Sequence, residues 1–274
     1  MDKDTALGSN TQLIILGTGN AMATKCYNTC FALKTEGGYF LTDAGGGNGI
    51  MIQLEKAGID YENIHHTFVT HGHTDHVLGV IWVIRKIAMQ MSSGEYTGDF
   101  TIYCHDELAN MITIFCNLTL PEKLKRFLGN RIVLCKLKDG DKASVNGMEV
   151  QFFDIGSTKL KQFGFRATLP GGTSVVCLGD EPYNDICQKY VEDCDWLLSE
   201  AFCLHSEREI FKPYEKHHST VLDAARVAGE LHAKNLVLYH TEDKNLATRK
   251  ARYTQEAKSV FQGGVFVPDD LEII

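Results

Sequence analysis

Six consecutive residues, His71-Gly72-His73-Thr74-Asp75-His76, gather three imidazoles and a carboxylate into the run HGHTDH. Neutral nitrogen donors beside an anionic oxygen suit zinc, manganese or iron, whereas magnesium and calcium prefer oxygen shells. The preceding His65-His66-Thr67-Phe68-Val69-Thr70 is a short β-rich run, and Val77 to Ile84 opens an apolar segment of helical length. The six residues therefore fall on a strand-to-helix turn. There His71 and His73 can converge on one ion while Asp75 and His76 turn towards a second. Two neighbouring ions are what two-metal hydrolases use to clamp the attacking and leaving oxygens of a displacement.

The turn needs partners from elsewhere in the chain, and the sequence repeatedly places polar residues at the ends of apolar strands. Tyr39-Phe40-Leu41-Thr42 runs into Asp43 and the glycine-rich segment 44–49, and Val175-Val176-Cys177-Leu178 runs into Gly179-Asp180. Leu198-Ser199 leads to Glu200, and Leu236-Val237-Leu238-Tyr239 leads to His240. A carboxylate at a strand end can bridge two ions. His105 also follows an apolar strand, but a lone histidine there reads as a loop or helix-start residue. Further strands are expected at 13–16, 100–104, 132–135, 149–153, 163–166 and 174–178. Helices are expected from the turn to about Met91, over 107–118, over 121–129 with Pro121 at the first helical position, over 219–228, and in the tail before a closing strand. Two runs of short strands with helices attached to each predict an α+β fold, two mixed sheets packed as a sandwich with helices outside.

The chain has 274 residues, 44% of them hydrophobic and 23% charged, as in an ordinary globular protein with a sizeable core. Residues 1–10, MDKDTALGSN, are polar and are expected to be disordered, with a single domain over 11–274. No apolar run approaches the 18 residues or so that cross a membrane, so the expectation is a cytoplasmic protein without a membrane partner. Nine cysteines scattered through apolar segments read as core thiols. Cys26 and Cys30 lack the second pair of a zinc ribbon. The net charge of −8 argues against a protein that coats nucleic acid. A local patch of Lys159, Lys161 and Arg166 could still hold one phosphate group, or be an ordinary solvated face. Gly17-Thr18-Gly19 is not a dinucleotide fingerprint, because Met22 stands at the third glycine position.

HxHxDH after an apolar strand resembles the signature of the metallo-β-lactamase superfamily. Leu16-Gly17-Thr18-Gly19-Asn20-Ala21 and His218-Ser219-Thr220 resemble its ribonuclease Z branch, the tRNA 3′-processing endonucleases and their relatives, and the likeness runs from about Leu13 to Leu271. The resemblance implies a four-layer αββα sandwich holding zinc, with manganese or iron as alternatives, at one or two ions per chain. It assigns His71 and His73 to the first ion and Asp75, His76 and His240 to the second. Asp180 lies between the two ions, giving one oxygen to each, and Asp43 supports the metal loop without binding. His218, preferred over His217, would protonate or stabilise the leaving oxygen, with Glu200 orienting it. An ion brings the pKa of a bound water to about 7, so hydroxide would be the nucleophile, steered by Asp75. By donor number the second ion should bind more tightly than the first.

The sequence departs from that pattern in three places. The branch's third histidine for the first ion is missing, and the flanking residues make Gly156 the vacant ligand position, with Asp154 two residues away. The loop 23–28 keeps Lys25 and Asn28 but lacks the branch's proline and arginine. Ala167 to Thr173 is too short to be the arm that grips a tRNA elbow. The expected activity is therefore phosphodiesterase action on small nucleotides or single-stranded RNA ends, by a homodimer. The alternatives are a lactone or thioester hydrolase, and a binding or sensing protein whose first metal site has decayed.

Overall fold

Apolar residues at every second position or in short continuous runs build two sheets, each laid out in chain order. The computed structural model describes Leu7, Gly8 and residues 10–274. Most of the expected disordered start lies outside the described residues, although Leu7 is buried between the sheets.

The first sheet comprises β1 (Gln12–Gly17), β2 (Cys30–Thr35), β3 (Gly38–Thr42), β4 (Ile64–Phe68), β5 (Phe100–His105) and β6 (Ile132–Leu137), in that order. Its first three strands pair antiparallel, and β3 through β6 pair parallel. The second sheet comprises β7 (Lys142–Val145), β8 (Met148–Asp154), β9 (Phe163–Thr168), β10 (Ser174–Cys177), β11 (Trp196–Glu200), β12 (Asn235–Tyr239) and β13 (Gly264–Phe266). It repeats the plan, antiparallel as far as β10 and parallel from β10 to β13. The helices are α1 (Gly49–Lys56), α2 (Thr74–Ser93), α3 (Asp106–Thr119), α4 (Glu122–Lys125), α5 (Gln188–Val191), α6 (Arg208–Phe211), α7 (Val221–Glu230) and α8 (Leu246–Lys258).

Three apolar layers hold these elements together. Phe31, Phe40, Phe68, Phe152, Phe165, Trp196 and Tyr239 fill the space between the sheets. Phe165 meets Phe40 and Phe68 edge-on at 5.5 Å each, contacts worth about 0.5–1.5 kcal/mol apiece beyond their buried area. The outer face of the first sheet is covered by α1, α2 and α3, and that of the second by α7 and α8. This is the expected αββα sandwich. Two strands were not foreseen: β2, and β7, a short half-exposed edge strand that shows little apolar alternation. The helix expected over 121–129 shrinks to α4, with Pro121 as its cap. Among the described residues, no helix is long and apolar enough to cross a membrane.

Two features of this frame place the donors. The parallel strands β3, β4, β10, β11 and β12 all end on one side, at or within three residues of Asp43, the HGHTDH turn, Asp180, Glu200 and His240. Crevices at the carboxyl ends of parallel strands are where such sheets bind ligands. Helix α2 also crosses the Asp43–Gly45 loop so closely that a side chain at Gly79 would collide with the Ala44 carbonyl. The Gly79 amide donates to the Gly45 carbonyl at 2.8 Å, which fixes the motif against Asp43.

Candidate metal centre

At the strand ends the backbone turns sharply. Asp43 (φ 54°) and His240 (φ 57°) adopt the left-handed conformation, which costs a side-chain-bearing residue about 1–3 kcal/mol and is tolerated where function demands a particular direction. His71, Asp75, His76, Asp180 and His240 are buried, and His73 is half-buried.

Three sets of donor atoms each lie within 4.8 Å of one another: His71, His73 and Asp180; Asp75, His76 and His240; and Asp180, His218 and His240. Asp180 Oδ2 is the common point, 3.5 Å from His71 Nε2, 3.6 Å from His76 Nε2 and 3.7 Å from His240 Nε2. Asp75 Oδ2 stands 3.4 Å from His76 Nε2 and 3.5 Å from His240 Nε2. Donors at about 2.1 Å from a tetrahedral ion sit about 3.4 Å apart, whereas good N–H···O bonds are shorter, near 2.9 Å. Among the described residues the buried His76 Nε2 has no hydrogen-bond partner of good geometry, its nearest carboxylate oxygen being Asp75 Oδ2 at 3.4 Å. These spacings fit divalent ions better than a hydrogen-bonded network.

The backs of the imidazoles are tied to Asp43, while on the facing side His71 Nε2 lies 2.8 Å from His73 Nδ1. His76 Nδ1 donates to Asp43 Oδ2 at 2.7 Å. The Thr70 hydroxyl donates to the same oxygen at 2.8 Å and lies 2.9 Å from His71 Nδ1, whose proton it can accept. The Thr70 amide donates to Asp43 Oδ1 at 2.8 Å. In this arrangement one carboxylate sets the tautomer of His76 directly and of His71 through Thr70, leaving Nε2 of both facing Asp180. Thr70 was missed in the sequence, where a threonine at a strand end carries no signal of its own.

The charges follow from burial and neighbours. Burial would raise the carboxyl groups of Asp75 and Asp180, but the surrounding histidines outweigh it and hold both well below the usual carboxylate range. Burial also keeps His71 neutral despite the Asp180 charge. For His76 burial is overcome by Asp43 and Asp75, which favour the protonated ring, so an ion there must displace a proton.

The remaining expected residues take distinct places in the folded chain. His218, not His217, turns inward: its ring stacks on Phe202 at 5.1 Å and its Nδ1 donates to the Asp180 carbonyl at 2.9 Å. Burial first, and the His240 charge second, push its pKa down to about 3, so the resting ring is neutral with a bare Nε2. His217 is exposed beside Thr158. Glu200 accepts from the Ser219 amide and lies 3.7 Å from His218 Nδ1, so its close contact is with the loop carrying the imidazole rather than with the ring. The basic patch does not assemble. Lys161 pairs with Asp106 at 2.8 Å, and Arg166 donates to the carbonyls of Tyr190 and Glu192. Lys159 alone is close enough to act electrostatically on His218 and Glu200.

Gly156 is not a vacant ligand position. Its φ is 71°, and a Cβ built there points at Ile186 and Asn184, outside the donor sets. Asp154 is used locally, accepting from the Gly156 amide at 2.8 Å. The polar group beside His71 and Asp180 is instead the Gln162 carboxamide, with Nε2 2.8 Å from Asp180 Oδ1 and 3.2 Å from His71 Nδ1. Spacing along the irregular loop 155–162 does not give the direction in which position 156 faces, and Gln162 at the end of that loop is the residue that reaches His71 and Asp180. Gly156→His should accordingly lower stability by about 1–3 kcal/mol from backbone strain alone and add no metal. Calorimetric unfolding with elemental analysis checks this, and a rise in bound metal would restore the original alignment.

Comparison with known proteins places this geometry in a family. The family model described as "Anti-Pycsar protein Apyc1" matches residues 11–266. The chain belongs to that family. It is also similar to the ribonuclease Z of Bacillus subtilis, at 27% identity covering 96% of this chain and 98% of the relative. Among solved structures it is similar to the metallo-β-lactamase fold protein YhfI from Bacillus subtilis, with a TM-score of 0.78 and 19% identity over 97% of this chain and 99% of that one. The short form of human tRNase Z gives a TM-score of 0.72 and 23% identity over 96% and 98%. The metallo-β-lactamase fold expected from HGHTDH and the ribonuclease Z-like character expected from residues 16–21 and His218-Ser219-Thr220 are thus both met in the chain's relatives.

Proposed function

We propose that this metal-dependent, ribonuclease Z-like phosphodiesterase acts on small nucleotide or single-stranded phosphodiesters. The observation carrying this reading is the shared Asp180 Oδ2, which faces imidazoles of both donor sets. We assign His71, His73 and Asp180 to one ion and Asp75, His76, His240 and Asp180 to the other, with zinc the preferred metal. Bound ions would activate water and neutralise charge on the phosphoryl oxygens.

The chain's own residues divide the remaining work. Asp75, between His76 and His240, is placed to orient the attacking water as well as to bind. An anionic substrate beside His218 favours the protonated ring, so the imidazole can take up a proton at Nε2 as substrate arrives and pass it to the leaving oxygen. Glu200 and the Ser219 amide hold the loop that carries it.

Two features favour compact substrates. β9 and β10 are joined by only Leu169 to Thr173, and the alignment with the Bacillus subtilis enzyme runs over 306 positions against 274 residues here. The relative therefore has segments this chain lacks. The net charge of −8 opposes contacts along a folded RNA. A reducing, cytoplasmic setting, supported by nine free thiols, and a homodimer, which rests on the resemblance to the ribonuclease Z branch, complete the proposal and are testable by cell fractionation and solution mass.

Metal-reconstituted protein is expected to cleave a chromogenic phosphodiester, small cyclic nucleotides and short single-stranded RNA at least about tenfold faster, in kcat/KM, than a precursor tRNA at physiological salt. Efficient tRNA processing would refute the substrate reading. Turnover of a lactone without any phosphodiester cleavage would refute the reaction class.

A further inference from the structure

We infer that Gln162 is a positioning residue for the first ion: its amide engages one oxygen of Asp180 and would leave the other turned to the histidines of both donor sets. The inference rests on the two-ion reading above. Gln162 is only 1% exposed, at the end of the irregular loop before β9, and its Nε2 lies 2.8 Å from Asp180 Oδ1. The shorter contact sets the orientation: exchanging the amide's nitrogen and oxygen would put two acceptors, one of them charged, 2.8 Å apart, and this outweighs the longer 3.2 Å approach of the same Nε2 to His71 Nδ1. Asp180 Oδ1 is thereby engaged, and Nε2 of His71, His76 and His240 lies 3.5–3.7 Å from Oδ2 instead. This differs from the sequence-based expectation of one carboxylate oxygen for each ion.

The backbone opposite is shaped for the same contact. Gly179, directly before Asp180, has a φ of 80°, and a Cβ there would collide with the Gln162 amide. The missing side chain at 179 is thus filled by the carboxamide. The second ion would depend less on this contact, because Asp75, His76 and His240 would hold it besides the shared oxygen. The first has only His71 and His73 besides the shared oxygen, so a loosened Asp180 should be felt there.

The test titrates zinc, and separately cobalt(II), into metal-free wild type and Gln162→Met, a substitution of similar volume that lacks the N–H donor. The tighter ion should bind as in wild type. The weaker one should bind roughly 10–100-fold more weakly, as is typical when a group supporting a ligand is removed. The cobalt absorption of the first equivalent should be unchanged, with that of the second delayed to higher concentration. Gly179→Ala approaches the same bond from the other side and should give the same selective weakening, with metal-free unfolding checking that each variant is folded. Unchanged constants for both ions, or equal weakening of both, would overturn the inference, as would a wild-type protein holding fewer than two ions. Wild type that binds two ions but cleaves no phosphodiester would leave this inference standing and overturn the proposed function.

Discussion

Asp180→Asn should lower phosphodiesterase kcat by on the order of 10³-fold or more and leave the protein with at most one ion. An amide keeps the shape of the side chain but removes the negative charge that His71, His76 and His240 surround at 3.5–3.7 Å. A 10³-fold loss corresponds to about 4 kcal/mol of transition-state stabilisation, a reasonable size for removing the one anion common to both ions. Elemental analysis and kcat on a chromogenic phosphodiester measure the two effects together. The substitution also relieves a buried charge in the metal-free protein, so thermal unfolding without metal should change far less than unfolding with metal. Two retained ions with a rate near wild type would show that Asp180 does not bridge, and the two-ion reading would fall with it.

Asp43→Ala should weaken both ions by roughly 10–100-fold each, the usual cost of removing a group that orients metal-binding histidines, although Asp43 touches neither. Its carboxylate holds His76 directly at 2.7 Å and His71 through the Thr70 hydroxyl. Without it both rings can turn or take the other tautomer. Asp43→Asn should be milder at the Thr70 amide, where Oδ1 accepts, but no better at Oδ2 if nitrogen replaces the oxygen there. Thr70→Val isolates the relay, since it removes the link to His71 and leaves the His76 contact intact. It should affect the first ion and spare the second. Competition with a chelator resolves the two constants. Equal effects of Thr70→Val on both ions would mean that Asp43 acts by holding the loop rather than through the individual rings.

Much of this centre was legible in the chain alone because metal chemistry limits the donors to a few side chains. Three histidines and an aspartate within six residues, at the junction of a β-rich and a helical pattern, identify one half of the site. Strands that end in Gly-Asp or Tyr-His identify the other half once their order along the chain is considered. Helix α2 was readable for the same local reason, an apolar pattern that begins at the motif and stops at Gly94, which adopts φ 82°.

What required the tertiary structure were contacts between residues far apart in sequence whose types carry no chemical signature. Thr70 becomes a relay only because α2 and the β3 loop bring Asp43 against it. Gln162 becomes a partner of Asp180 only because β9 and β10 lie side by side and Gly179 leaves room for its amide. Gly156 was misassigned because spacing along an irregular loop does not give the direction of a side chain, whereas a φ of 71° and the neighbouring Ile186 do. The sequence by itself determined which residues could hold an ion and on which strand ends they lie, since donor type and strand pattern are local properties. The packing of the two sheets decided which oxygen of Asp180 faces the histidines and which way each imidazole turns, because those depend on distances between segments that no single stretch of chain encodes.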